Sequence, residues 1–154
     1  MRQPTFWSPP APEIIDQNPT LKNQRDLLQS IPGIGEITAW DIMAEMPDVE
    51  EFDSAQSAAA YAGLAPREHK SGSSVRKPTH LSKRGNSRLR KALYFPAVSA
   101  ITWNPLVKAH YQRLVAQGKP KMVALAACMR KLLIICFGVF KHQKPFDPTW
   151  ASQP

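Results

Sequence analysis

Apolar and polar positions along this chain alternate in helical periods, broken at intervals by proline and glycine. Asn18, Pro19 and Thr20 have the layout of an N-cap, a first-turn proline and a helix entry. The helix they start reaches about Ser30, with Leu21, Leu27 and Leu28 among its apolar positions. Ile31-Pro32-Gly33-Ile34-Gly35 then reads as a tight turn, followed by an apolar-periodic helix from about Glu36 to Met46 that Pro47 stops. Asp53 or Ser54 caps a short Ala-rich helix, and Gly63 ends it in the left-handed conformation. From Arg67 to about Leu81 the helical period disappears, as in an exposed loop or a short irregular hairpin. It returns near Asn86 in a helix expected to turn Leu89, Leu93 and Val98 inward, with Pro96 placed to kink it. Asn104-Pro105 opens a further helix closed by Gly118, and a last one runs from about Lys121 to His142. That last helix is apolar nearly all round, as a central core helix would be. The expected fold is therefore all-α, a small helical domain with a helix-hairpin-helix-like segment and an irregular basic insertion.

Length changes this picture little. With 154 residues, 43% of them apolar, the chain suffices for one domain with a real core. We place that domain at 19–146, after a Pro-rich segment at 1–18 that reads as disordered or linker-like, and before a C-terminal tail at 147–154. The longest apolar run, Leu132 to Phe140, is nine residues, short of the roughly 20 needed to cross a bilayer. Met1 to Pro12 lacks the apolar run of a signal peptide. Cys128 and Cys136 stand in the most apolar segment, where free thiols serve as small buried hydrophobes. These features fit a cytoplasmic protein with no membrane partner.

Charge changes it more. The formal net charge is +8 and very unevenly spread: residues 1–66 carry three basic and ten acidic side chains, residues 67–91 nine and one, and residues 92–154 eight and one. A solvated face would mix signs, whereas single-sign crowding calls for a polyanion. The densest positive stretch, Arg67 to Lys91, marks nucleic acid as the leading partner.

Three segments carry candidate chemistry. In the turn, Pro32, Gly33 and Gly35 let the chain close and let backbone N–H groups approach a phosphate; an ordinary helical hairpin is the competing reading, and Glu36 and Asp41 oppose phosphate contact. His69-Lys70-Ser71-Gly72-Ser73-Ser74-Val75-Arg76 sets small hydroxyls among cations, which would stabilise both an alkoxide and an attacked phosphate. The same loop could merely supply phosphate-binding donors. Lys83, Arg84, Arg88, Arg90 and Lys91 surround a helix start capped by Asn86 or Ser87, a layout for gripping a nucleic-acid backbone without reading its sequence. His69, His80, His110 and His142 lack metal-ligand spacing, and Asp48, Glu50, Glu51 and Asp53 read as solvated loop charge, so no metal site is expected in this chain. Trp103 and Tyr111 read as core or rim.

Three blocks occur in order: Ile31-Pro32-Gly33-Ile34-Gly35; Tyr61-Ala62-Gly63-Leu64-Ala65-Pro66-Arg67 with Ser71-Gly72; and Ser82-Lys83-Arg84-Gly85-Asn86 with Leu89-Arg90. Together, over about Leu27 to Pro148, they resemble the C-terminal domain of the insertion-sequence 110/116/902 transposases. The resemblance implies a DNA transposition domain whose loop serine attacks DNA and becomes joined to it. Ser71 takes that role, with Ser74 as the alternative. Arg67, Lys70, Gly72, Arg76 and Lys77 would then hold phosphates around the serine, and Lys83, Arg84, Asn86, Arg88, Arg90 and Lys91 would hold the backbone. It further implies an RNase-H-like domain with four acidic metal ligands for Mg, supplied by another polypeptide, together with DNA, a bridging or guide RNA and a homo-oligomeric active complex. The alternative expectation is a non-catalytic nucleic-acid-binding remnant of a truncated transposase.

Overall fold

The computed structural model describes residues 17–67, 80–81 and 85–152. Its helices are α1 (Pro19–Gln29), α2 (Glu36–Glu45), α3 (Ala55–Tyr61), α4 (Ser87–Trp103), α5 (Pro105–Ala116) and α6 (Lys121–His142). Side-chain caps explain most of the starts. Asn18 Oδ1 accepts from the N–H groups of Thr20 and Leu21 at α1, Ser54 Oγ from Ser57 at α3, Asn86 Oδ1 from Arg88 and Leu89 at α4, and Asn104 Oδ1 from Leu106 and Val107 at α5. Pro19 and Pro105 occupy first-turn positions where no intrahelical N–H is lost. Gly63 and Gly118 follow α3 and α5 at φ +72° and +86°, as expected of closing glycines. α2 ends at Glu45, with Met46 already extended before Pro47.

The core is built around α6, which packs against α1, α3, α4 and α5. Leu28, Ile31, Ile42, Leu64, Leu89, Leu93, Leu132 and Leu133 are fully buried there. By length and composition α6 could cross a membrane, yet 61% of its most apolar window is buried against the other helices. That is how the central helix of a bundle reads. Cys128 and Cys136 are free and buried in it.

β1 (Pro66–Arg67) and β2 (His80–Leu81) pair antiparallel, Pro66 with Leu81 and Arg67 with His80. The pairing gives the expected insertion a hairpin base, and residues 68–79 between the strands lie outside the described residues. The segment expected as a tail forms a 3-10 turn, Pro148–Ser152, with Trp150 packed on the core and the Phe146 N–H donating to Ser30 Oγ (2.9 Å).

One expectation is corrected and one narrowed. Val98 is not inward but 45% exposed. The inward register of α4 is Leu89, Leu93, Pro96, Ala97 and Ala100, and at 100° per residue Val98 falls off that stripe. Of the core and rim readings of Trp103, the core one does not hold: it is 73% exposed, next to the fully buried Asn104. Tyr111 does pack against the core.

Candidate nucleic-acid interface

Three helix ends meet at Asn86. Its backbone N–H donates to Tyr61 O at the end of α3 (2.6 Å). Its Nδ2 reaches Glu45 Oε2 at the end of α2 (3.1 Å) and Tyr61 Oη (3.2 Å), while its Oδ1 caps α4. The junction closes only because position 85 is glycine. Gly85 has φ +115°, and a Cβ there would lie 2.3 Å from Tyr61 O and 2.8 Å from Gly63 N. Asn86, expected to touch nucleic acid, thus has its side chain engaged within the protein.

The junction places cations. Arg88, in the first turn of α4, is 83% exposed at its side chain, with Nη1 3.9 Å from Glu45 Oε1. Arg90 donates from Nη1 to Ala62 O (3.5 Å), and Lys91 is exposed. Arg88 and Lys91 share a groove of about 360 Å³ with Asp41, Ala44, Glu45 and Ala92. Burial, and then the neighbouring Glu45 carboxylate, push the Asp41 carboxyl above its ordinary range. The flank toward α2 is therefore of mixed charge. On the other flank, Arg90 and Lys91 line a mostly apolar groove with Tyr94, Phe95 and Met129. The positive end of the α4 dipole adds to the field of these cations.

The hairpin turn lies elsewhere. Gly33, at φ +105°, presses on α4 where a Cβ would stand 2.8 Å from Ala100 Cβ, and Pro32 O accepts from Asn104 Nδ2 (3.3 Å). Gly33 serves helix packing there. Gly35 has open space around it and begins α2, with Glu36 in its first turn. From Gly85 to Ala100 is 15 residues, about 20 Å of helix, so the turn and the Asn86 junction sit toward opposite ends of α4. Among the described residues, no group of three or more His, Cys, Asp or Glu side chains could hold a metal ion.

The family model for the IS116/IS110/IS902 transposases matches residues 25–112, more than half the chain, and takes in the turn, the junction and the hairpin between them. The chain belongs to that transposase family. It is 38% identical to a pilin gene-inverting protein of Moraxella bovis over 136 residues, covering 88% of this chain and 42% of that one. It is 31% identical to the IS110 43.6 kDa protein of Streptomyces coelicolor, over 75% of this chain and 28% of the relative, and 41% identical to the IS1111A transposase of Coxiella burnetii, over 43% and 18%. The chain spans about two fifths of the length of the Moraxella relative.

Within the transposase family's ordered blocks, the structure joins the second and third. Tyr61 and Gly63 abut Gly85 and Asn86, while the first block packs at the far end of α4. Ser71, Ser74, Lys70, Gly72, Arg76, Lys77, Lys83 and Arg84 lie outside the described residues. Arg67 enters through its backbone, paired with His80. Sequence reasoning did not assign the roles of Tyr61, Glu45 and Gly85 in the junction. A glycine directly before an asparagine cap was the available signal for Gly85.

Proposed function

We propose that this chain is the serine-bearing, DNA-binding part of a transposase acting in DNA transposition and recombination. The observation that carries the reading is the junction at Asn86. It is built from two of the ordered family blocks and lies beside the exposed Arg88 that starts α4, while the pairing of Arg67 with His80 sets the two ends of the Ser-Gly segment side by side. One relative is named for inverting a gene, which supports recombination as the reaction class.

In this mechanism the Ser71 hydroxyl, or alternatively that of Ser74, attacks a DNA phosphorus. An Oγ–P bond forms, a P–O bond to deoxyribose breaks, and the leaving oxygen takes up a proton. Arg67, Lys70, Arg76 and Lys77, with the Gly72 backbone, hold the phosphate and stabilise the charge that develops on it. Lys83, Arg84, Arg88, Arg90 and Lys91 grip the backbone, and Asn86 acts through positioning. The turn at Pro32, Gly33 and Gly35 supports the helical pair as a scaffold, with the open N–H groups at Gly35 as a secondary phosphate contact. An acidic RNase-H-like domain holding Mg, a bridging RNA and further copies of the chain complete the active complex.

The test supplies the acidic domain, Mg, guide RNA and DNA, and looks for a covalent protein–DNA adduct. The adduct should form and should disappear in Ser71→Ala; an adduct that persists in both Ser71→Ala and Ser74→Ala refutes the serine assignment. DNA binding without any adduct would favour a non-catalytic binding remnant.

A further inference from the structure

A second concentration of cations lies on the α5–α6 hairpin, away from the basic stretch and assigned no role above. Arg113 Nη2 donates to His110 Nδ1 (2.7 Å). A guanidinium has no acceptor, so this imidazole is neutral and carries its proton on Nε2. Burial first, then the positive charge of Arg113 and, more weakly, of Lys131 and Arg130 on the adjoining α6, hold its pKa below the ordinary value. None of the four side chains is ion-paired with a described carboxylate. Among the described residues, the Arg130 Nε–H alone is a buried side-chain polar group with no hydrogen-bond partner. Lys131 also forms part of a groove of about 550 Å³ with His142, Lys144, Trp150 and one acid, Asp147.

Such crowding works against folding unless it serves a polyanion. The enclosed Arg130 Nε–H has no acceptor within the described protein, so no hydrogen bond at that atom ties the guanidinium inward. Guanidinium groups suit phosphate, which each can bind in bidentate fashion, and Arg113 on α5 with Arg130 and Lys131 on the packed α6 offer positive charge along the hairpin for successive phosphates. We propose that the outer face of the α5–α6 hairpin is a second nucleic-acid surface, where Arg113, Arg130 and Lys131, with His110, hold a phosphodiester backbone separate from the one gripped at the start of α4. The surface gives the chain two places to hold nucleic acid at once, as bridging two segments requires. It stands independently of serine chemistry.

DNA and structured RNA share this chemistry, so the experiment carries both. Binding of a short DNA duplex and of an RNA hairpin is measured against salt for the unaltered chain, for Arg113→Gln/Lys131→Gln, and for Lys83→Ala/Arg84→Ala/Arg88→Ala. Losing two phosphate contacts on duplex DNA should lower the salt slope by about 2, so the first variant should lose about tenfold less affinity than the parent between 50 and 200 mM salt. The arm with the larger change names the nucleic acid held there. In the unaltered chain, bound nucleic acid should also slow acetylation of Lys131 while leaving Lys22 on α1 unaffected. An unchanged slope in both arms, with Lys131 acetylated at its free rate, overturns the inference. A drop in the Lys83/Arg84/Arg88 variant under those conditions would leave the proposed function standing.

Discussion

Asn86 has both ends of its side-chain amide in use, and the residue before it has no room for a Cβ. Gly85→Ala combines an unfavourable positive φ with a backbone clash, and should destabilise the fold by about 3 kcal/mol or more in urea titrations. Asn86→Ala removes a cap and the links to Glu45 and Tyr61, and should cost about 2 kcal/mol. Equal stability of either variant with the parent would mean the junction is not held as described. His110 makes a different kind of prediction. Its folded pKa lies below its unfolded value, so the unfolded chain binds the proton more readily, and stability should be full above the unfolded value and fall as pH drops through it toward the folded one. His110→Gln should flatten that decline in unfolding measurements between about pH 7.5 and 5.5. Asp41 has its pKa raised and so acts in the opposite direction, but closer to the carboxylate range.

The helices were legible in the sequence wherever a cap residue and a breaker framed an apolar period. Asn18-Pro19, Asn104-Pro105, Gly63 and Gly118 each mark a boundary by local chemistry, and α6 announced its central place by being apolar on nearly every side. What stayed hidden depends on rotation and on long-range contact. Val98 looked inward because it is apolar, but the stripe through Leu93 and Ala97 excludes it. Leu93→Ala should therefore cost about 3 kcal/mol, while Val98→Thr should stay within about 0.5 kcal/mol. Similar losses in both would show that the register of α4 is wrong. At the candidate interface, the cations of α4 were legible from composition. The Asn86 junction was not, because it joins positions 25 and 41 residues apart in sequence. In α6, burial pushes the Cys128 thiol up to about 11 and that of Cys136 to about 12. At about pH 8 neither should react with a thiol reagent in the native protein, and both should react in denaturant; labelling without denaturant would place them nearer the surface than the packing of α6 allows.

Over the whole molecule, net positive charge is confined to the residues from Arg67 onward, while the first 66 residues are net acidic, with ten acidic side chains against three basic. The cations do not simply neutralise that acidic part: α2 faces Arg88 and Lys91 with Asp41 and Glu45, yet His110, Arg113, Arg130 and Lys131 pair with no described acid. Two opposed salt responses follow. Alone, the protein carries unrelieved repulsion among its cations, and screening within a Debye length of about 10 Å at 0.1 M salt should relieve it, so Tm should rise with added salt. With nucleic acid present, the phosphates supply the missing counter-charge and binding adds to stability by mass action, so Tm should start higher and fall as salt releases the ligand. The two curves should converge at high salt. A free protein whose Tm falls with salt would show that attraction between the acidic and basic regions outweighs repulsion within the basic ones, and the cation clusters would then be part of the fold's own charge balance instead of surfaces held open for a polyanion.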